Sequence, residues 1–290
     1  MAAGEASSSR AGAGAGATGR AGAEPAGGVA VARGALEERL RLKRAEGRKL
    51  LVPYLTGGLG PDWVACLEAV AAAGADAVEV GLPFSDPMMD GPVIQRASML
   101  ALEAGATSMG IISAVRTADV GVPVAVMTYY NVVARTGHYR MARQLAEAGV
   151  AGAIVPDLPV DELDGWGDAA REAGVETVLL AAPTTPEPRL RVIGAQTRGF
   201  LYAIGMMGVT GERAELAVTA AETARRCKQV TDCPVLVGIG ITTPAQAVEV
   251  AQVADGVVVG SALVRRLLDG GGPDDVAALV AEFRRALDVA

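Results

Sequence analysis

The chain has 290 residues, with 26 Lys and Arg against 33 Asp and Glu, a single histidine and three cysteines. A net charge of −7 offers no basic face for a nucleic-acid backbone, and one histidine cannot build a multi-histidine metal site. Cys66, Cys227 and Cys233 lack CxxC spacing, so no disulfide framework is expected and chemistry falls to carboxylates, hydroxyls and backbone amides.

Residues 1–34 are Ala, Gly and Ser with scattered arginines, too poor in large apolar side chains to offset the entropy of ordering, and read as a disordered tail. The tail lacks the apolar core of a secretory signal; a transit peptide is the rival reading, which would make the protein organelle-targeted rather than cytoplasmic. No uncharged apolar run reaches the ~18 residues of a membrane span, so a soluble protein is expected.

From Ala35 the pattern is regular. Leu36, Leu40 and Leu42 stripe a charged helix, and Leu50–Leu55 is an apolar run closed by Gly57-Gly58. Asp62 opens a helix carrying Val64, Leu67 and Ala71 and ending at Gly74. The unit then recurs, with strands expected at Ala77–Val80, Val122–Thr128, Ala151–Val155, Glu176–Leu180, Phe200–Ile204, Pro234–Val237 and Gly256–Val259. Helical patterns lie near 93–104, 138–148, 161–173, 186–196, 212–229, 243–253 and 274–287. His138, in Thr-Gly-His-Tyr-Arg at a helix start, reads as a solvated or capping histidine. The strands are almost continuously apolar, as when both sheet faces are buried. Eight such units in about 250 residues predict one (β/α)₈ barrel over residues 35–290. The competing doubly wound sheet would need a G-x-G-x-x-G after its first strand, and none is there.

In this barrel the chemistry sits where strands end and the following loops begin. Glu79 is an acid inside the apolar strand Ala77–Val80, which is costly unless it is paired or used, and no base lies in any strand core to pair with it. Asp86 and Asp90 follow in a Pro- and Gly-rich loop where aspartate is ordinary turn chemistry; Asp90 gains weight from Gly91-Pro92, which would fold its loop over the barrel mouth. Glycines cluster after strands 6, 7 and 8: Gly208-Val209-Thr210-Gly211, Gly238-Ile239-Gly240 and Gly260-Ser261. Glycine loops after strands 7 and 8, with a helix N-terminus behind them, suit a phosphate group, so a small phosphorylated substrate is expected.

The stretch from Val78 to Pro87, continuing through Met88-Met89-Asp90-Gly91-Pro92-Val93-Ile94-Gln95, resembles the alpha-subunit family of tryptophan synthases. Tyr129-Tyr130-Asn131, Pro156-Asp157-Leu158-Pro159, Gly208–Gly211 and Gly260-Ser261-Ala262 fall in the family's order, and the match runs from Lys49 to Val264. The resemblance implies a lyase cleaving indole-3-glycerol phosphate to indole and glyceraldehyde 3-phosphate by a retro-aldol reaction. By the same resemblance Glu79 is the general acid/base, Asp90 stabilises charge at the indole N–H, and Tyr202 stands by the reacting side chain. Gly211, Gly240, Gly260 and Ser261 match the phosphate cradle, Tyr54, Met127, Ile154 and Ile239 the indole slot, and Thr210 the loop-closing threonine.

Pro83, Asp86, Tyr129 and Asn131 match the family's partner-facing side. A beta subunit in an α2β2-type assembly, carrying the pyridoxal phosphate, is thereby implied, with no cofactor or metal on this chain. Two departures stand out: Gly205, followed by Met206-Met207, replaces the family's serine after the strand-6 tyrosine, and Thr56-Gly57-Gly58-Leu59-Gly60-Pro61 lacks the family's aspartate. The altered loop 6 keeps open a free-standing lyase serving secondary metabolism, and a weakened barrel acting as an allosteric binding subunit is the third reading.

Overall fold

The computed structural model describes residues 33–205, 213–238 and 240–290. In chain order its elements are α1 (Ala35–Ala45), β1 (Leu50–Thr56), α2 (Trp63–Ala72), β2 (Val78–Gly81), α3 (Pro92–Glu103), α4 (Ser108–Thr117) and β3 (Val124–Met127). Next come α5 (Tyr130–Thr136), α6 (His138–Glu147), β4 (Val150–Ile154), a 3₁₀ turn (Val160–Glu162), α7 (Asp164–Ala173), β5 (Glu176–Ala181) and α8 (Glu187–Gln196). The chain ends with β6 (Leu201–Ala203), α9 (Arg213–Val230), β7 (Val235–Val237), α10 (Pro244–Ala251), β8 (Gly256–Val259), α11 (Ser261–Leu268) and α12 (Pro273–Leu287). Strands β1 to β8 pair in parallel in that order and close on one another through β1 and β8. The expected (β/α)₈ barrel is the fold.

Alternation along each strand sorts side chains into two cores. On β1, Leu51 and Leu55 face outward and join Val78, Val80, Met141, Leu145, Trp166 and Phe283 under the helices. Leu50, Val52 and Tyr54 face inward and meet Ala125, Ile154, Val178, Phe200, Tyr202, Leu236 and Val258 along the barrel axis. Two helices escaped the sequence reading. Helix α4 is announced only by Thr107, whose hydroxyl accepts a bond from the Gly110 amide at 3.1 Å. Helix α5 is two turns long and carries Val132 and Val133, poor helix formers, inside a loop. Leu42, the third residue of the α1 stripe, points to solvent.

Helix α1 plugs the base of the barrel with Leu36 and Leu40, both fully buried. It is held there by Glu176, at the start of β5. The backbone amides of Leu36 and Glu37 donate to Glu176 Oε2 and Oε1 at 2.8 and 3.0 Å, placing a carboxylate on the positive end of the helix. Burial pushes the Glu176 carboxyl up, and the amides pull it back. Replacing Glu176 with alanine orphans two buried N–H groups and should cost about 2–4 kcal/mol in urea unfolding; a loss under ~1 kcal/mol would show the plug is held by its leucines alone.

The other buried acids at the base are likewise matched. Asp76 accepts from the Leu51 amide at 2.9 Å and faces Arg48 and Arg284, each 3.3 Å away. Asp255 accepts from the Val235 amide at 2.9 Å and pairs with Lys228 and Arg44. Among the described residues no single helix is long and apolar enough to cross a membrane.

Candidate active site

At the opposite end of the strands the matching stops. Strand β2 turns Glu79 into the barrel, 1% exposed, and its Oε2 has no hydrogen-bond partner among the described residues. Burial first, then the charge of Asp90, pushes the Glu79 carboxyl up to about 8. It is therefore a neutral acid near neutral pH.

Asp90 ends the loop between β2 and α3, and several bonds fix that loop. Gln95 Nε2 donates to the Asp90 carbonyl at 2.8 Å, and the Met89 amide donates to the Tyr129 hydroxyl at 3.0 Å. That hydroxyl also neighbours the Asp90 carboxyl and acts on its titration. Burial raises the Asp90 carboxyl, and the Tyr129 bond opposes the rise. The Tyr129 ring stacks on Phe84 with centroids 4.9 Å apart, and burial, with Asp90 beside it, holds its phenol well above the ordinary range. Tyr129 is thus buried against the acid loop, as is Pro83 behind it, while Asp86 and Asn131 are exposed. These two exposed residues line a groove of about 510 Å³ with Phe84, Met109, Val132 and Arg135.

Two tyrosines complete the mouth. Tyr54 pairs in register with Glu79 across β1 and β2, and Tyr202 stands on β6. Both are buried, and desolvation holds both phenols far above the ordinary range. Ile154 and the half-buried Met127 belong to the same inward-facing cluster. Ile239, Thr210 and Gly211 lie outside the described residues, as do Met206 and Met207; Gly205 is buried.

Gly260 caps α11, with the Val264 amide closing onto its carbonyl at 3.0 Å. The amides of Ser261, Ala262 and Leu263, in the first turn, have no intrahelical acceptor and point at the loop. Gly240, after β7, is exposed and has φ +85, a conformation that favours glycine. The first turn of α11 therefore presents free amides and the positive end of a helix dipole, which suit an anion. His138 is not a cap: α6 begins at the histidine itself, and its Nε2 lies 3.0 Å from the Tyr130 hydroxyl. No group of three or more His, Cys, Asp or Glu is arranged to hold a metal ion among the described residues.

Spacing could not have revealed Tyr129, since Met89 and Tyr129 are 40 residues apart and meet only because β2 and β3 are neighbours. Glu79 was legible because an acid inside an apolar strand stands out.

The family model described as tryptophan synthase alpha chain matches residues 40–287. The tryptophan synthase alpha chain of Streptomyces coelicolor is 47% identical over 260 residues, covering 88% of this chain and 95% of that protein. Its counterpart in Streptomyces avermitilis is 45% identical, covering 87% and 94%. A chain of Mycobacterium tuberculosis tryptophan synthase superposes with a TM-score of 0.81 at 40% identity, covering 88% of this chain and 99% of that one. The Legionella pneumophila tryptophan synthase alpha chain gives 0.78 at 33% identity, covering 89% and 98%.

Proposed function

Because the chain belongs to the tryptophan synthase alpha chain family, lyases of tryptophan biosynthesis, we propose that it cleaves indole-3-glycerol phosphate by a retro-aldol reaction in this barrel mouth. One observation carries the reading: Glu79 is buried on β2 and protonated near neutral pH, its Oε2 without a partner among the described residues, while Asp90 stands over it from a braced loop.

The reaction needs a proton on indole C3, and a neutral carboxyl is the group to give it. Protonation leaves positive charge on the ring nitrogen, and the Asp90 carboxylate accepts the N–H and stabilises that charge. The bond between C3 and the side chain then breaks, its electron pair returning to the ring. The side-chain hydroxyl loses its proton to the Glu79 carboxylate and becomes the aldehyde carbonyl. Glu79 ends as it began, so the cycle balances. Tyr202, a neutral donor, faces the reacting chain, and the loops at Gly240 and Gly260–Ser261 take the phosphate, with Gly211 assigned to the same cradle and Thr210 to closure.

No cofactor is assigned to this chain. The groove at Asp86 and Asn131 is read as the docking face for a beta subunit in an α2β2-type assembly, whose pyridoxal phosphate would consume the indole. The test is indole release by the purified chain, with and without a beta subunit. Slow release, stimulated by the partner, is expected; no release in either condition would sink the reading.

The pH dependence follows from the same carboxyl. Glu79 must enter protonated, so kcat/KM should hold up to about pH 8 and then fall about tenfold per unit. Asp90 must enter ionised, and its raised carboxyl sets an acid limb above the ordinary aspartate range. A rate still rising at pH 9 would contradict the proton inventory.

A further inference from the structure

Tyr54 stands on the strand between β8 and β2. It therefore separates the phosphate loop at Gly260 from the strand that carries Glu79. The packing of its ring is specific at both ends. A Cβ on Gly260 would lie 3.3 Å from Tyr54 Cδ1, and a Cβ on Gly81 would lie 2.0 Å from Tyr54 Oη. No side chain is tolerated at Gly81 while the phenol is in place, so β2 keeps a vacancy for this hydroxyl. Tyr202 repeats the arrangement on the other side of the mouth, its Oη lying 2.1 Å from where a Cβ on Gly238 would be. Each tyrosine sends its hydroxyl onto a glycine at the end of the next strand round the barrel, Gly81 closing β2 and Gly238 following β7.

An apolar wall would need no such vacancy. The Tyr54 hydroxyl is 3.4 Å from Thr56 Oγ1, a long bond that leaves most of its capacity unspent in a side chain only 5% exposed. A buried hydroxyl with so weak a partner has donor capacity left for a further acceptor, and the one the reaction brings beside it is the substrate.

We infer that Tyr54 is a substrate-binding residue whose Oη donates a hydrogen bond to a hydroxyl of the substrate's three-carbon chain, with Thr56 orienting the phenol. The inference rests on the function proposed above, because a ligand anchored by phosphate at β8 and by its ring at Glu79 must carry its chain across the end of β1. No proton is transferred to or from Tyr54. The residue selects chains that carry a hydroxyl there.

The test is Tyr54→Phe, measured for indole release from indole-3-glycerol phosphate and, by calorimetry, for binding indole-3-propanol phosphate, the same skeleton without the chain hydroxyls. Loss of the donor should lower kcat/KM about 3- to 30-fold. The Kd of the hydroxyl-free compound should stay within about twofold, since it cannot use the bond. Unchanged turnover, or equal weakening with both compounds, would assign Tyr54 to packing alone and overturn the inference. Wild-type turnover in the same assay separates the two readings: its absence overturns both, whereas wild-type turnover with an unimpaired Tyr54→Phe overturns this inference only.

Discussion

Replacing Glu79 with glutamine is expected to lower kcat by about 10²–10⁴-fold while KM changes by no more than about threefold. The amide preserves the shape of the carboxyl and fits the same buried position on β2, so the ligand meets an almost unaltered surface. It has no acidic proton for C3 and no basic oxygen for the side-chain hydroxyl. Both halves of the cycle are lost together. A variant that keeps more than about a tenth of the wild-type rate would assign the proton transfers elsewhere.

The same substitution carries its own proof of folding. The folded chain favours the neutral Glu79 carboxyl, whose titration is displaced from 4.5 to about 8. As pH rises through 4.5 the unfolded chain ionises and gains stability that the fold does not share. The fold therefore loses stability across this window, and the penalty levels off above about 8, where both states are charged. Glutamine never ionises. Glu79→Gln should thus unfold at a higher temperature than wild type at pH 9 and at nearly the same temperature at pH 4. A dead enzyme that is more stable than its parent at alkaline pH is hard to explain except by a carboxyl kept buried for use; equal melting at both pH values would deny that burial.

What the sequence shows of this site depends on what each residue must announce. The strands were legible within a residue or two because burial on both faces imposes apolar runs, and their order follows once eight of them recur. Glu79 was legible as an exception inside such a run. Glu176 and Asp76, equally buried acids, drew no notice because they sit at strand beginnings, where polar residues are unremarked, and their pairing with backbone amides is set by the folded base. Asp90 looks like turn chemistry on local grounds, and what lifts it is Gly91-Pro92 beside it and then the family resemblance. The brace that Tyr129 supplies was hidden, since nothing in Tyr129-Tyr130-Asn131 states which neighbour its hydroxyl reaches. The resemblance places Tyr54 in the apolar indole slot, and its hydroxyl stays hidden there because alternation tells which face a residue takes, and not where its last atom ends.

Asp90→Asn is the second large effect, and it separates charge from shape. Asparagine keeps the size of the side chain and can still face Tyr129, so the loop fixed by Gln95 and Met89 should stay in place. What it removes is the negative charge held against the ring nitrogen as C3 is protonated. Loss of one fixed electrostatic partner of a transition state costs about 10²–10³-fold in kcat, and that is the expected loss here, with KM little changed. A second consequence has a definite sign. Burial is the main cause of the high Glu79 value, and the Asp90 charge is the other. Removing that charge makes Glu79 easier to ionise, so the alkaline limb of the residual activity should move to lower pH than in wild type. Lost rate with an unmoved limb would place Asp90 too far from Glu79 to sense it. A moved limb with nearly full rate would make Asp90 a tuner of Glu79 and leave the charge on the ring nitrogen to be met by another group. Only the two effects together support a pair of carboxylates, one neutral and one charged, dividing the proton chemistry between C3 and the ring nitrogen.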